Sequence, residues 1–103
     1  MKFARPSGGF KISLSPGVKQ LIERRCQEDG AFKRYWKDIK DRLSFTAHEE
    51  GVADNRFAPG HRLWAAAADA ERGFPRIRLV YLVLGDSVRI RIAEIGQTPG
   101  VDD

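Results

Sequence analysis

Long apolar runs and paired cysteines are both missing from this sequence of 103 residues. No stretch approaches the roughly 18 consecutive apolar residues that span a bilayer, and the N-terminus MKFARPSGGF lacks the apolar segment of a signal peptide. The single cysteine, Cys26, cannot form a disulfide within the chain. These absences predict a soluble, cytoplasmic protein with no membrane partner, in which Cys26 is a small buried apolar residue.

The sequence patterns of common cofactor and metal sites are absent as well. There is no glycine-rich loop that would hold phosphates and no nucleophile elbow. The run His48, Glu49 and Glu50 contains possible metal ligands, but no second histidine or cysteine stands at a ligand spacing from it. We therefore expect neither a metal nor a small-molecule cofactor.

Charged residues, by contrast, are plentiful. Hydrophobic residues make up 42% of the chain and charged residues 31%, which is the balance of an ordinary folded domain, and the length suits a single core. Lys and Arg number 18 against 14 Asp and Glu, so the formal net charge is +4. An excess of this sign favours a nucleic acid or an acidic protein as the partner.

Hydrophobic periodicity predicts an α+β fold. FKISL alternates apolar and polar residues as a strand does, and two segments with helical spacing follow, one ending near Gly30 and one near Ala47 or His48. After a polar connection over 49–60, we interpret HRLWAAA, RIRLVYLV and SVRIRIAEI as strands, the last two joined at LGDS. The expected order is strand, helix, helix, strand, strand, strand, with a helical hairpin packed on one face of a small antiparallel sheet.

We expect one domain over residues 10–96. The residues before it include Pro6, Ser7, Gly8 and Gly9, which predict a flexible arm over 1–9. The remaining residues, 97–103, are expected to form a disordered tail.

Arginine recurs at every second position in both strands of the last hairpin, as Arg76 and Arg78 and then as Arg89 and Arg91. Because successive side chains of a strand point to opposite faces, these four are expected on the face that the helices leave uncovered. If Leu63 points into the core, Arg62 and Trp64 join them. The residues expected on the core face are Ile77, Leu79, Tyr81, Val83, Val88, Ile90 and Ile92.

Two interpretations of this arginine-rich face are open. Arginine stems cover apolar surface well, so the face could simply be solvated. Like charges directly across a strand pair repel one another, however, and an anionic partner would offset that cost. Guanidinium groups offer bidentate donors that match phosphate, which favours a nucleic-acid or acidic protein target.

Cleavage of RNA through its 2′-hydroxyl requires a base, an acid and a positive charge at the phosphate. Arginine supplies only the charge, because it does not give up its proton near neutral pH. His61 is the histidine nearest the basic strands and is therefore the candidate acid or base. If it shares a face with Leu63, however, it turns toward the helices.

The segments FKISLSPGVKQLI and RIRLVYLVLGDSVRIRIAEIG, together with the order of elements over 10–96, resemble the RelE/ParE superfamily of toxins from bacterial toxin-antitoxin systems. The resemblance implies a microbial RNase-like fold, a cognate antitoxin as partner, and ribosome-bound mRNA or DNA gyrase as target. It makes Arg78 the arginine that stabilises the scissile phosphate, and it places Arg62 among the basic residues of the preceding strand. Where RelE-type nucleases carry a further basic residue and then a helix with a tyrosine or histidine, this chain reads GQTPGVDD, so two catalytic positions depart from the family pattern.

Two hypotheses follow. The first is a RelE/ParE-like toxin that inhibits translation as an RNA-binding, ribosome-dependent mRNA endoribonuclease with an incomplete catalytic set; its candidate catalytic residues are Arg78, Arg62 and His61. The target-binding residues of this hypothesis are Arg76, Arg78, Arg89, Arg91 and Trp64. The second is a non-enzymatic interaction protein on the same fold, such as a gyrase poison or a blocker of a nucleic-acid machine.

Overall fold

The computed structural model of this protein describes residues 9–49, 51–53 and 60–97. Two α-helices pack against a five-stranded mixed sheet, so the predicted α+β class is confirmed. Most of the predicted arm and all but the first residue of the predicted tail lie outside the described residues. The elements are β1 (Lys11–Leu14), α1 (Pro16–Glu28), α2 (Gly30–Thr46), β2 (Val52–Ala53), β3 (His61–Ala66), β4 (Ile77–Leu84) and β5 (Ser87–Ile95).

Asp29 separates the two helices and caps the second one. Its Oδ1 accepts hydrogen bonds from the backbone N–H groups of Ala31, at 3.0 Å, and Phe32, at 3.2 Å. Gly30, predicted as the end of the first helix, is therefore the first residue of α2, because the aspartate cap ends one helix and begins the next. Neither helix of the described ranges is long and apolar enough to cross a bilayer.

The strands lie in the order β1-β5-β4-β3-β2. β4 pairs antiparallel with both β3 and β5, and β2 pairs antiparallel with β3, but β1 runs parallel to β5. The prediction of a purely antiparallel sheet is therefore wrong. The reason is that a parallel pair requires only a long connection between its strands, and here the whole of the intervening chain supplies one. The two-residue strand β2 lies in the segment predicted as a connection.

The core lies between the helices and one face of the sheet. Tyr81, in the central strand, donates a buried hydrogen bond from its hydroxyl to the carbonyl oxygen of Ala47 at 2.8 Å, which ties β4 to the end of α2. The helices contribute the buried residues Val18, Ile22, Phe32, Trp36, Ile39 and Leu43, and the sheet contributes Trp64, Ile77, Leu79, Tyr81, Val88 and Ile90.

An extra residue interrupts the pairing of β5 with β4. Tyr81 pairs with Ile90, whereas the neighbouring Val80 pairs with Ile92, so Arg91 is left between the two pairs as a β-bulge. A bulge adds one residue to one strand only. Alternation between the two faces is therefore reset at this point.

After the bulge, each side chain of β5 lies on the face opposite to the one that strict alternation predicts. Ala93 and Ile95 pack against the core, and Ile92 lies on the opposite face, 36% exposed. The prediction that Ile92 faces the core is wrong, because a strict period of two does not continue through a bulge.

Candidate functional site

The sheet face opposite the helices, which we call the open face, is the surface on which the sequence predicts a site. Ile77, Leu79, Tyr81 and Val83 of β4 face the core, so the residues of β4 that alternate with them face the other way. The cross-strand partners of those alternating residues lie on the same face. The residues of the open face are Val52 of β2, His61, Leu63 and Ala65 of β3, Arg78, Val80, Leu82 and Leu84 of β4, and Ser87, Arg89, Ile92 and Glu94 of β5.

Arg78 lies at one end of the open face and has a local counter-ion. It is directly opposite Glu94 of β5, and its Nη1 lies 3.5 Å from the Glu94 Oε1. Both side chains are substantially exposed, so the pair contributes at most about 1 kcal/mol of stability. The like-charge repulsion expected across the hairpin is thus absent at this position, because a glutamate stands opposite the arginine.

The other three arginines are exposed. Arg89 is opposite Leu82, four residues along β4 from Arg78, which separates the two backbones by about 13 Å. Arg91 is the bulge residue, and Arg76 lies just before β4. The four cations are therefore distributed over the length of the hairpin rather than collected in one cluster, and their role in target binding stays a prediction.

An apolar row crosses the open face between Arg78 and Arg89. Val52, Leu63, Val80 and Ile92 are consecutive partners in the register of β2, β3, β4 and β5, so they form one line across four strands. Val80 is buried, Leu63 is half-buried, and Val52 and Ile92 are exposed. Sequence alternation puts Val80 on the same face as the arginines, but the row itself depends on β2 and on the bulge, and neither of these features is predicted.

The face that each residue of β3 occupies is the reverse of the prediction. Trp64 is buried in the core opposite Leu79, and Leu63 lies on the open face. Arg62 is on the helix side with Trp64, and its Nη2 donates a hydrogen bond to the carbonyl oxygen of Gly51 at 3.1 Å. The predicted outward orientation of Trp64 and Arg62 is wrong, because burial of the large indole is worth more than burial of a leucine.

The three candidate catalytic residues do not converge on one point. His61 lies on the open face opposite Leu82 and is 7% exposed, so the prediction that it turns toward the helices is also wrong. Arg78 is on the same face, but the two backbones are about 14 Å apart along the strands. Arg62 is on the other face of the sheet. These residues therefore cannot surround a single phosphate.

No family model, no curated protein and no solved structure matches this chain.

Among the residues that the structure describes, no three His, Cys, Asp or Glu side chains are close enough to hold a metal ion.

Proposed function

We propose that this protein is a RelE/ParE-like toxin that acts by binding an acidic protein surface through its open face, without cutting RNA. The observation that carries this proposal is the apolar row between Arg78 and Arg89. In the cell, the target would be a protein of a nucleic-acid machine, and a cognate antitoxin would hold the toxin inactive.

The composition of the open face supports a protein target over a nucleic acid. Protein interfaces combine an apolar centre with arginine and a polar rim, and the arginines supply the strongest individual contacts. Surfaces that bind nucleic acid are more polar and more densely positive. The exposed apolar side chains Val52, Leu84 and Ile92 would gain little from contact with phosphates.

The positions of the catalytic candidates support binding over cleavage. Phosphoester cleavage requires an acid, a base and a cation within hydrogen-bond distance of one phosphate group. Arg62 lies on the helix side of the sheet, whereas His61 and Arg78 lie on the open face. The three candidate catalytic residues are therefore not on one surface.

A photo-crosslinking experiment tests this proposal. A photoreactive amino acid replaces Leu84, which is 52% exposed on the open face, and the matched control replaces Phe45, which is 49% exposed on α2. We expect the Leu84 position to form protein adducts in growth-arrested bacterial cells, the Phe45 position to form none, and the 5′ ends of cellular mRNA to stay unchanged. Adducts to RNA at Leu84, or new mRNA ends, would favour the nuclease hypothesis and overturn this one.

A further inference from the structure

A groove lined by residues of β1 and of both helices lies on the helix side of the sheet, away from the open face. Its volume is about 910 Å³. The floor is apolar and is formed by Ile12, Leu14, Ile22, Cys26 and Trp36. Burial raises the pKa of the Cys26 thiol, although the positive charges of Lys40 and Lys33 oppose the shift. The thiol is therefore a neutral apolar group of the floor at physiological pH.

The rim of the groove is strongly basic. Five cations line it, Lys19, Lys33, Arg34, Lys37 and Lys40, against one carboxylate, Glu23. Glu23 itself lies 4.0 Å from the ammonium of Lys19. All five cations are exposed, so their fields add at the mouth of the groove and attract negative charge.

One wall of the groove is an edge strand. β1 is the outermost strand of the sheet on this side, and it bonds to β5 through alternate residues: the N–H of Lys11 donates to the Asp86 oxygen and that of Ser15 to the Ile90 oxygen. In a parallel pair, the residues between these direct their N–H and C=O groups to the other side. The outward-directed groups are those of Ile12 and Leu14, whose side chains also line the groove.

We propose that this groove binds an extended, acidic segment of a partner protein, which adds to the sheet as a strand beside β1. An added strand places every second side chain on the helix side, next to Ile12 and Leu14, where the apolar floor receives it. Carboxylates at the helix-side positions before and after the apolar ones are held by the basic rim, because the rim cations belong to the two helices. This surface is distinct from the open face, so the inference does not depend on the proposed function.

Charge and shape argue against two other occupants. A second copy of the chain, paired edge to edge, would bring two rims of five cations together. A nucleic acid would leave the apolar floor without partners, and Trp36 is too deeply buried to stack on a base. An extended polypeptide whose helix-side positions carry both apolar and acidic side chains satisfies the floor, the rim and the strand edge together.

A synthetic peptide provides the direct test. The probe is a fluorescein-labelled peptide of about eight residues, a length typical of a strand, in which one face carries two valines flanked by glutamates and the other face carries threonines. Fluorescence anisotropy measures its binding, and hydrogen exchange measures protection of individual amides. We expect binding to slow exchange of the Ile12 and Leu14 amides by about tenfold, and we expect the same peptide with lysine in place of each glutamate not to bind.

Matched variants separate the groove from general charge attraction. Lys37→Glu combined with Lys40→Glu is expected to weaken peptide binding by about tenfold. The control, Arg24→Glu combined with Arg72→Glu, makes the same change in net charge at exposed positions away from the groove and is expected to leave affinity within about twofold. The proposal is overturned by an absence of binding, by binding without protection of Ile12 and Leu14, by equal loss in both double variants, or by tighter binding of a single-stranded RNA octamer at the same lysines.

Discussion

At the scale of single residues, Tyr81 links the central strand to the end of α2. Its hydroxyl donates to the Ala47 carbonyl at 2.8 Å, and its ring is fully buried. A buried acceptor that loses its donor costs about 1–3 kcal/mol, since water cannot replace the bond. We expect Tyr81→Phe to lower the free energy of unfolding by about 1–2 kcal/mol in urea denaturation.

Tyr35 provides the matched control for this substitution. It is half-buried and packs through its ring on Phe74, with the ring centroids 4.1 Å apart. Tyr35→Phe keeps the stacked ring and should change the free energy of unfolding by less than about 0.5 kcal/mol. An equal loss in the two variants would show that the buried hydrogen bond of Tyr81 is not the source of the effect.

Individual residues also show where sequence reasoning chose the wrong face. Leu63 and Trp64 are adjacent and both apolar, so alternation alone does not decide which of them is buried. The structure buries the larger side chain, Trp64. A rule that favours burial of the aromatic residue would have placed Arg62 on the helix side and His61 on the open face from the sequence.

At the scale of elements, the β5 bulge decides how the open face is composed. Deletion of Arg91 removes the extra residue and leaves both flanking pairs of the ladder in place. Deletion of Arg89 instead shifts the register by one residue and would turn either Val88 or Ile90 out of the core. We expect the Arg91 deletion to stay folded with a loss below about 2 kcal/mol, and the Arg89 deletion to lose more than about 3 kcal/mol.

Urea denaturation followed by circular dichroism compares the two deletions. Each removes one arginine from the same strand, so the change in charge and in length is identical. Comparable stability in the two variants would contradict the assignment of Arg91 as the bulge residue.

The helices and long strands are the elements that could be predicted from the sequence. Their apolar spacing is regular over several turns or over eight residues, and Pro16 is a strong signal for the start of α1. The parallel pairing of β1 with β5 could not be predicted, because it is set by packing of distant segments and no local pattern encodes it. β2 is only two residues long and carries too little periodicity to identify.

At the scale of the whole molecule, the sheet separates two surfaces of different chemistry. The open face combines an apolar row with dispersed arginines, whereas the groove beside β1 combines an apolar floor with a dense basic rim. The sequence predicts Arg78 and Arg89 on the open face but not the apolar row between them, because this row consists of residues from separate elements. Each surface carries more cations than carboxylates, which suits the acidic partner proposed for it.

The most direct test of the proposed function is a growth assay on one pair of matched substitutions. Ile92 on the open face is 36% exposed and Leu21 on α1 is 38% exposed, so a glutamate at either position perturbs the fold to a similar extent. Expressed in a bacterial host, the unaltered chain and Leu21→Glu are predicted to arrest growth, and Ile92→Glu is predicted to relieve the arrest at equal protein level. Arrest by Ile92→Glu as strong as that by Leu21→Glu would contradict the assignment of the open face as the target-binding surface.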